Sequence, residues 1–409
     1  MTAVGVNSPV TEAEVFAAHE GGKLSVAATA EFHDSRALSV AYTPGVATVS
    51  KAIAREPALA RRYTWAARLV AVVTDGTAVL GLGDVGPAAA LPVMEGKAAL
   101  LKEFGGLDAI PLVLDTTDVD EIVETLVRLR PSFGAVSLED VAAPRCFALE
   151  ERLAQALDCP VMHDDQHGTA IAVLAALRGA CAVLGRPVTR QRVVVSGAGA
   201  AGIACARILL AAGLTDVTVL DSCGILVPGR RIRMNPAKAA LAECTNPRGL
   251  RGGLAEALRD ADVFVGVSGA TVPEELIASM APGAIVLALS NPVPEIHPTT
   301  AARYAAVVGT GGSDFPNQVI NTLASPGIYR GALDAGARRI SDGMKLAAAE
   351  AIAEVAAADL AADRIVPHSL DPRVMPAVAA AVARAALADA VPDERGDGPG
   401  TGPASPAPR

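Results

Sequence analysis

Apolar residues along this chain fall into two alternating patterns. Short runs of Val, Ile and Leu, bounded by Gly, Pro, Asn or Asp, read as buried strands. Longer alanine-rich stretches, with apolar positions three and four apart, read as helices. In the first half, strands are expected at Leu69–Thr74, Ala109–Leu114, Phe133–Leu138 and Val161–His163. The turn signal Asp75–Gly76 followed by Ala78–Leu82 predicts a hairpin. Helices are expected at Thr11–His19, Val46–Arg55, Pro87–Leu101, Val119–Leu129, Pro144–Leu157 and Gly168–Leu184. The second half predicts strands at Val193–Val195, Val217–Leu220, Val263–Val267, Ile285–Leu289 and Val307–Gly309. Helices separate them, and two more follow between Ile328 and Leu360, broken around Gly336–Gly343, then one at Pro376–Ala390.

This alternation predicts an α/β fold. An N-terminal α/β substrate domain is expected over residues 1–160. A doubly wound Rossmann-type dinucleotide domain with C-terminal helices is expected over 161–391. Residues 392–409 are Pro, Gly, Ser and charge, the composition of a disordered tail. The hydrophobic fraction is 51% but aromatics make up only 3%, so the core is built from small aliphatic side chains. Net charge is −9 with no basic block, which argues against nucleic acid as a partner. No uncharged apolar run is long enough for a membrane span, and Met1–Val10 lacks a signal-peptide pattern. A cytoplasmic location is expected, with the six scattered cysteines as buried small hydrophobes.

Val193–Gly202, VVVSGAGAAG, organises the second half. Gly197, Gly199 and Gly202 have G-x-G-x-x-G spacing between a strand and a helix. The first glycine permits the tight turn and the second lets backbone approach a pyrophosphate. The third lets helix and strand pack closely. The helix N-terminus, with Ala200 and Ala201 in its first turn, then receives the anion. Asp221 ends the next strand, 24 residues after Gly197, where an acid can bind the ribose 2′-hydroxyl.

Glu139–Asp140 and Asp164–Asp165 follow strands, at the sheet end where α/β ligands gather. Converging carboxylates repel unless a hard cation such as Mg²⁺ or Mn²⁺ joins them; solvated helix caps are the alternative. Lys97 lies on a largely apolar helix, as a desolvated base or as a lysine reaching for solvent. Tyr42 sits in a Pro/Gly turn that can aim a phenol into a cleft. His163 and His167 flank the second acid pair and suit supporting roles. Asn291 and Asn321 follow strands of the dinucleotide domain, as carboxylate-binding amides or turn formers.

Together these stretches resemble a short bacterial malic enzyme. The matching pieces are YTPGVA at Tyr42, TDG and LGLGDVG at Thr74–Gly86, LPVMEGKA ending at Ala98 and LEDVAAP ending at Pro144. HDDQHGTAI from His163, the glycine turn, LSNPVPE from Leu289 and PGIYRGALD from Pro326 continue in the same order. The resemblance covers roughly Glu12–Ala390. It implies oxidative decarboxylation of L-malate to pyruvate and CO₂ with NAD or NADP and Mg²⁺ or Mn²⁺. It implies Lys97 as general base, Tyr42 as general acid, and Glu139, Asp140 and Asp165 as metal ligands. It implies Asn291 and Asn321 as substrate and nicotinamide-side contacts, and a homodimer or larger homo-oligomer with catalytic groups crossing the interface.

There are departures from the pattern. Thr77, Ala78 and Val79 stand where larger malic enzymes carry a substrate-binding arginine. Ile320 replaces one of two paired asparagines, and Ser325 replaces the phenylalanine before PGI. Asp221 favours NAD, whereas Arg230, Arg231 and Arg233 would recruit a 2′-phosphate if their loop folded back. Two competing readings are a related dehydrogenase of another 2-hydroxy or 2-amino acid, and a non-catalytic dinucleotide sensor.

Overall fold

A computed structural model describes residues 10–79 and 81–390. The tail expected over 392–409 lies outside the described residues, as does Leu80. The first sheet contains β1 (Leu69–Thr74), β2 (Asp108–Val113), β3 (Ala135–Leu138) and β4 (Val161–His163). Its order is β2-β1-β3-β4, with every pair parallel. The second contains β5 (Arg192–Ser196), β6 (Asp216–Asp221), β7 (Gly224–Ile225), β8 (Val263–Gly266), β9 (Ala284–Ala288) and β10 (Ala305–Thr310). Its order is β10-β9-β8-β5-β6-β7, parallel except for the short β7. Chain order reverses between β5 and β8, and such a switch point opens a crevice for ligand at the carboxyl ends. β4, expected at the head of the second domain, is hydrogen bonded in the first sheet.

The expected hairpin does not form. β1 is flanked on both sides by parallel partners, so no edge is left for Ala78–Leu82. Among the described residues there, Val79 and Gly83 make an isolated antiparallel bridge. Gly76 has φ +70°, and Ala78 N–H donates to the Asp140 carbonyl at 2.9 Å. The loop is therefore laid across the end of β3.

β1 shows how the two cores divide. Leu69, Ala71 and Val73 enter one cluster with Ile122, Leu126 and Leu149. Val70 and Val72, on the opposite face, enter a larger cluster that also holds Val193 and Val195 of β5. The helix Asp164–Val183 supplies the middle of that cluster, with Ala170–Leu177 and Ala180 buried. Its small side chains let both sheets share one wall, each fully buried Val or Leu contributing about 1.5–3 kcal/mol. This helix begins four residues before the expected Gly168, so Asp164 and Asp165 lie in its first turn, where the dipole favours carboxylates.

The N-terminal arm is different. Helices Glu12–His19, Ser35–Ala41 and Val46–Arg55 bury none of their residues, and Ser35–Ala41 was not expected. Lys23 fastens the arm, its backbone N–H donating to Glu95 at 3.0 Å and its Nζ to the Pro92 carbonyl at 2.8 Å.

The β4–helix junction is held from below by Glu150 of the helix Arg145–Ala156. One carboxylate oxygen accepts the His163 backbone N–H at 2.7 Å. The other accepts from Gln166 Nε2 at 3.0 Å and lies 3.0 Å from His167 Nε2. Burial raises the Glu150 pKa, but His167 and the His163 amide outweigh it and hold the acid down to about 2.

Two predictions follow from this packing. Glu150→Gln is expected to lower thermal stability at pH 7 by up to about 3 kcal/mol, at ~1.4 kcal/mol per pKa unit. Because the folded pKa is depressed, the wild-type advantage is present above about 4.5 and shrinks as pH falls towards about 2. Melting curves for both proteins across that range test it; a pH-independent gap contradicts it. A Cβ at Gly202 would lie 1.8 Å from the Gly197 carbonyl oxygen. Gly202→Ala is expected to abolish dinucleotide binding by calorimetry while leaving the first sheet's stability largely intact.

Candidate active site

The glycine turn has the geometry that its spacing implies. Gly197 has φ +123°, and a Cβ there would meet the Val267 carbonyl at 2.6 Å. A Cβ on Gly199 would meet nothing within 4 Å, so the space above the turn is open. Gly199 caps the helix Ala200–Ala211 without a side chain, which leaves its first amides facing that space. A cavity of about 830 Å³ runs from Gly197 and Gly199 past Asp221, Ser222, Arg233 and Lys238. Ala143 and Pro144 also line it. They follow Glu139–Asp140 closely in the chain, so the first sheet's acidic loop borders the cofactor cleft.

Asp221 ends β6 as expected, but its carboxylate is committed to protein partners. Arg230 grips both oxygens, at 2.9 and 2.5 Å, Lys238 Nζ donates at 2.7 Å, and Cys223 N–H donates at 2.9 Å. Burial raises its pKa, yet Arg230 and Lys238 hold it down to about 2. The arginine loop thus folds back onto the acid.

A second set of groups meets at the carboxyl end of the first sheet. Lys97, on the helix Pro87–Gly105, is buried in contact with Asp164 and lies 3.3 Å from Glu139 Oε1. Asn321 Nδ2 donates to Asp164 Oδ2 at 2.6 Å, tying the second domain to this point. Ser137 Oγ donates to Glu139 at 2.7 Å. Asp140 N–H donates to Asp165 Oδ2 at 2.8 Å, and His163 Nε2 lies 3.3 Å from the same oxygen. Lys97, Glu139, Asp140, Asp165 and Asn321 are therefore brought to one place. The histidines take the supporting positions expected of them.

Burial alone would depress the Lys97 amine, the shift expected of a neutral base. Asp164 and Glu139 outweigh it and hold the pKa above the usual lysine value. Burial pushes the Glu139 carboxyl well up, against the pull of Lys97. Burial opposes protonation of His163, but its contact with Asp165 prevails and raises it well above the usual value.

Among the described residues, no three His, Cys, Asp or Glu side chains are already arranged as a metal cage. The donor set still suits a hard cation. Three carboxylates, Glu139, Asp164 and Asp165, face one lysine and one histidine, and Asp164 Oδ1 is buried without a hydrogen-bond partner. An all-oxygen, net-negative set of this kind fits Mg²⁺ or Mn²⁺.

Two expected residues stand apart. Tyr42 is 63% exposed on the N-terminal arm, with no hydrogen bond from its hydroxyl to Lys97. Asn291 is exposed, with its backbone oxygen 2.8 Å from where a Gly81 Cβ would be and its amide beside Gly311. Two further positions were not singled out as site residues. The sequence presents Asp164 as one half of an acid pair, and the structure makes it the fully buried partner of Lys97. Gly168 is the second such position, since a Cβ there would lie 2.2 Å from Asp164 Oδ1 and 2.9 Å from Asn321 Cβ. A glycine one helical turn after an acid was the available signal.

Comparison with known proteins gives the same answer as the residues. The family model described as malic enzyme, N-terminal domain, matches residues 21–154, and malic enzyme, NAD binding domain, matches 166–387. An NAD-dependent malic enzyme of Geobacillus stearothermophilus is 49% identical over 341 residues, 83% of this chain and 71% of that protein. A bifunctional malic/malolactic enzyme of Bacillus subtilis is 51% identical over 336 residues, 82% of each. The crystal structure of an NAD-dependent malic enzyme from Thermotoga maritima matches with TM-score 0.87 and 42% identity. It covers 91% of this chain and 99% of that one. With both halves matched in order, this chain belongs to the malic enzyme family.

Proposed function

We propose that this protein oxidatively decarboxylates L-malate to pyruvate and CO₂, with NAD or NADP as oxidant and Mg²⁺ or Mn²⁺ as the metal. The observation that carries this reading is Lys97, buried against Asp164 and Glu139 where the second domain's Asn321 also arrives. A bound dinucleotide would supply a hydride acceptor for malate C2, and a bound divalent cation would supply Lewis acidity at the C2 oxygen. Glu139, Asp140 and Asp165 are the residues that would hold the cation.

Lys97, in its neutral form, is placed to remove the C2 hydroxyl proton, and a cation held by the neighbouring carboxylates would offset the negative charge that keeps its amine protonated. Burial excludes water that would compete for that proton. Asn321, held by Asp164, and Asn291 bind the substrate carboxylate and the nicotinamide side as neutral amides. Gly197, Gly199, Ala200, Ala201 and Gly202 cradle the pyrophosphate. Tyr42 returns a proton to C3 of enolpyruvate.

Tyr42 reaches a site by way of a second copy. The arm that carries it exposes Phe16, Val26, Phe32, Val40 and Tyr42, and its helices bury nothing within the chain. Such an apolar surface suits a homodimer in which each arm covers the partner. A cytoplasmic location fits the six unpaired cysteines. No described helix is long and apolar enough to cross a membrane.

Malate with Mn²⁺ is expected to reduce NAD or NADP with equimolar CO₂ release. Lys97→Ala and Asp165→Ala should each lower kcat by about 10²–10⁴, the usual weight of a positioned acid or base. Oxidation of malate without CO₂, or full activity in Lys97→Ala, would refute the assignment. Mixing inactive Tyr42→Phe and Lys97→Ala proteins tests the interface. Dimers with one restored site should regain activity that neither variant shows alone; no recovery would place Tyr42 and Lys97 in the same subunit.

A further inference from the structure

A second cavity, of about 930 Å³, lies between the two domains, and the proposed reaction makes no use of it. One wall comes from the helix Arg145–Ala156 of the first domain. The other comes from the helices Ala200–Ala211 and Asp342–Ala356 of the second. Neither the glycine turn nor Asp221 borders it. Pro144 and Asn235 line both this cavity and the cofactor cleft, so the two spaces share a wall.

Three cationic side chains reach this cavity, Arg145 from the first domain and Arg207 and Lys345 from the second. Arg145 Nη2 donates to Asp75 at 2.7 Å and to Thr77 at 2.9 Å, but its Nε is buried without a partner. A buried donor left in that state costs stability until something accepts from it. Lys345 is largely buried, and its Nζ reaches only an exposed carboxylate, Asp342, at 3.1 Å. Arg207 has no hydrogen-bonding or ionic partner among the described residues. The acids nearby do not answer these charges. Glu150 is committed to the His163 amide, Gln166 and His167, and Glu151 is exposed where solvent screens it. Phe147, Val161 and Ile340 make part of the remaining wall apolar.

We propose that this cavity is a regulatory site for an organic anion with an apolar body, its carboxylate or phosphate head held by Arg207, Lys345 and the Nε of Arg145. Guanidinium and ammonium groups suit such a head, and Phe147 and Ile340 cover the body. Malate does not fit this description, because both its ends are charged and it has no surface for the apolar wall. A ligand here touches both domains and rests against Pro144 and Asn235, so its binding is linked to the geometry of the cofactor cleft. The regulatory role rests on the proposed activity; the binding does not.

The probe is 8-anilinonaphthalene-1-sulfonate, an anionic group on an apolar body, titrated by fluorescence into the full-length protein with the cofactor cleft filled by saturating NAD or NADP. Binding is expected, and Arg207→Ser and Lys345→Met should each weaken it by about tenfold while leaving cofactor affinity unchanged. Octanoate and octyl phosphate are then added as competitors, and the stronger of them identifies the head group. At saturation the probe should change kcat/KM for malate by about fivefold or more in the wild type and not in the double variant. Failure of the probe to bind the filled wild type, which requires no variant to fold, overturns the proposal. So does binding unchanged in both variants, displacement by neither competitor, or kcat/KM unmoved at saturating probe. Absence of malate turnover in the untreated wild type would refute the proposed activity instead and leave the binding result standing.

Discussion

The contact between Lys97 and Asp164 is what the surrounding structure serves. Both charges are removed from water, Asp164 completely. Burying a pair costs several kcal/mol per ion unless the remaining lone pairs and protons find partners. The fold meets that demand from four directions. Glu139 approaches Lys97 from β3, steadied by Ser137. Asn321 donates to Asp164 from the second domain. The first turn of the helix Asp164–Val183 places a favourable dipole on the acid. Gly168 contributes by lacking a side chain, since any Cβ would occupy the space of the Asp164 carboxylate. Glu150 then fixes the strand-to-helix turn on which all of this depends.

The same helix explains how a chain with so few aromatics encloses a large core. Ala170, Ala172, Ala175, Ala176 and Ala180 leave room for strands on either side, so β1 and β5 contribute to one continuous cluster. Alanine costs little entropy to order and keeps the backbones close. The two sheets are thereby held as walls of a common cleft. The acid-bearing loop of the first lines the cofactor cavity of the second, through Ala143 and Pro144.

Much of this was legible in the sequence because buried parallel strands and alanine-rich helices leave strong, simple patterns. Every long strand from Leu69–Thr74 to Ala305–Thr310 lies close to its expected position. The glycine turn was readable because each glycine answers a distinct steric demand. What failed to show was pairing. Nothing local told Ala78–Leu82 that both edges of β1 would be taken by β2 and β3. Nothing local told that Asp164 would turn inward to Lys97, 67 residues away, while Asp165 turned towards His163. Tyr42 was legible as a residue type in a turn, but its reach depends on a surface that one chain does not supply.

Asp221 shows why an isolated acidic residue is a poor reporter of cofactor preference. Its position after β6 is the usual one for a ribose ligand, yet its chemistry is set by what it holds. The two ends of the cleft carry opposite imbalances. Around Lys97 there are three carboxylates and two cationic side chains, a deficit that a divalent ion would fill. Around Asp221 there are three cationic side chains, Arg230, Arg233 and Lys238, and one carboxylate. Uncompensated like charges at close range oppose the compact state, so each cluster is held together by its own opposite charges and hydrogen bonds. The electrostatic character of each end is therefore a property of the whole cluster, and no single residue's identity reports it.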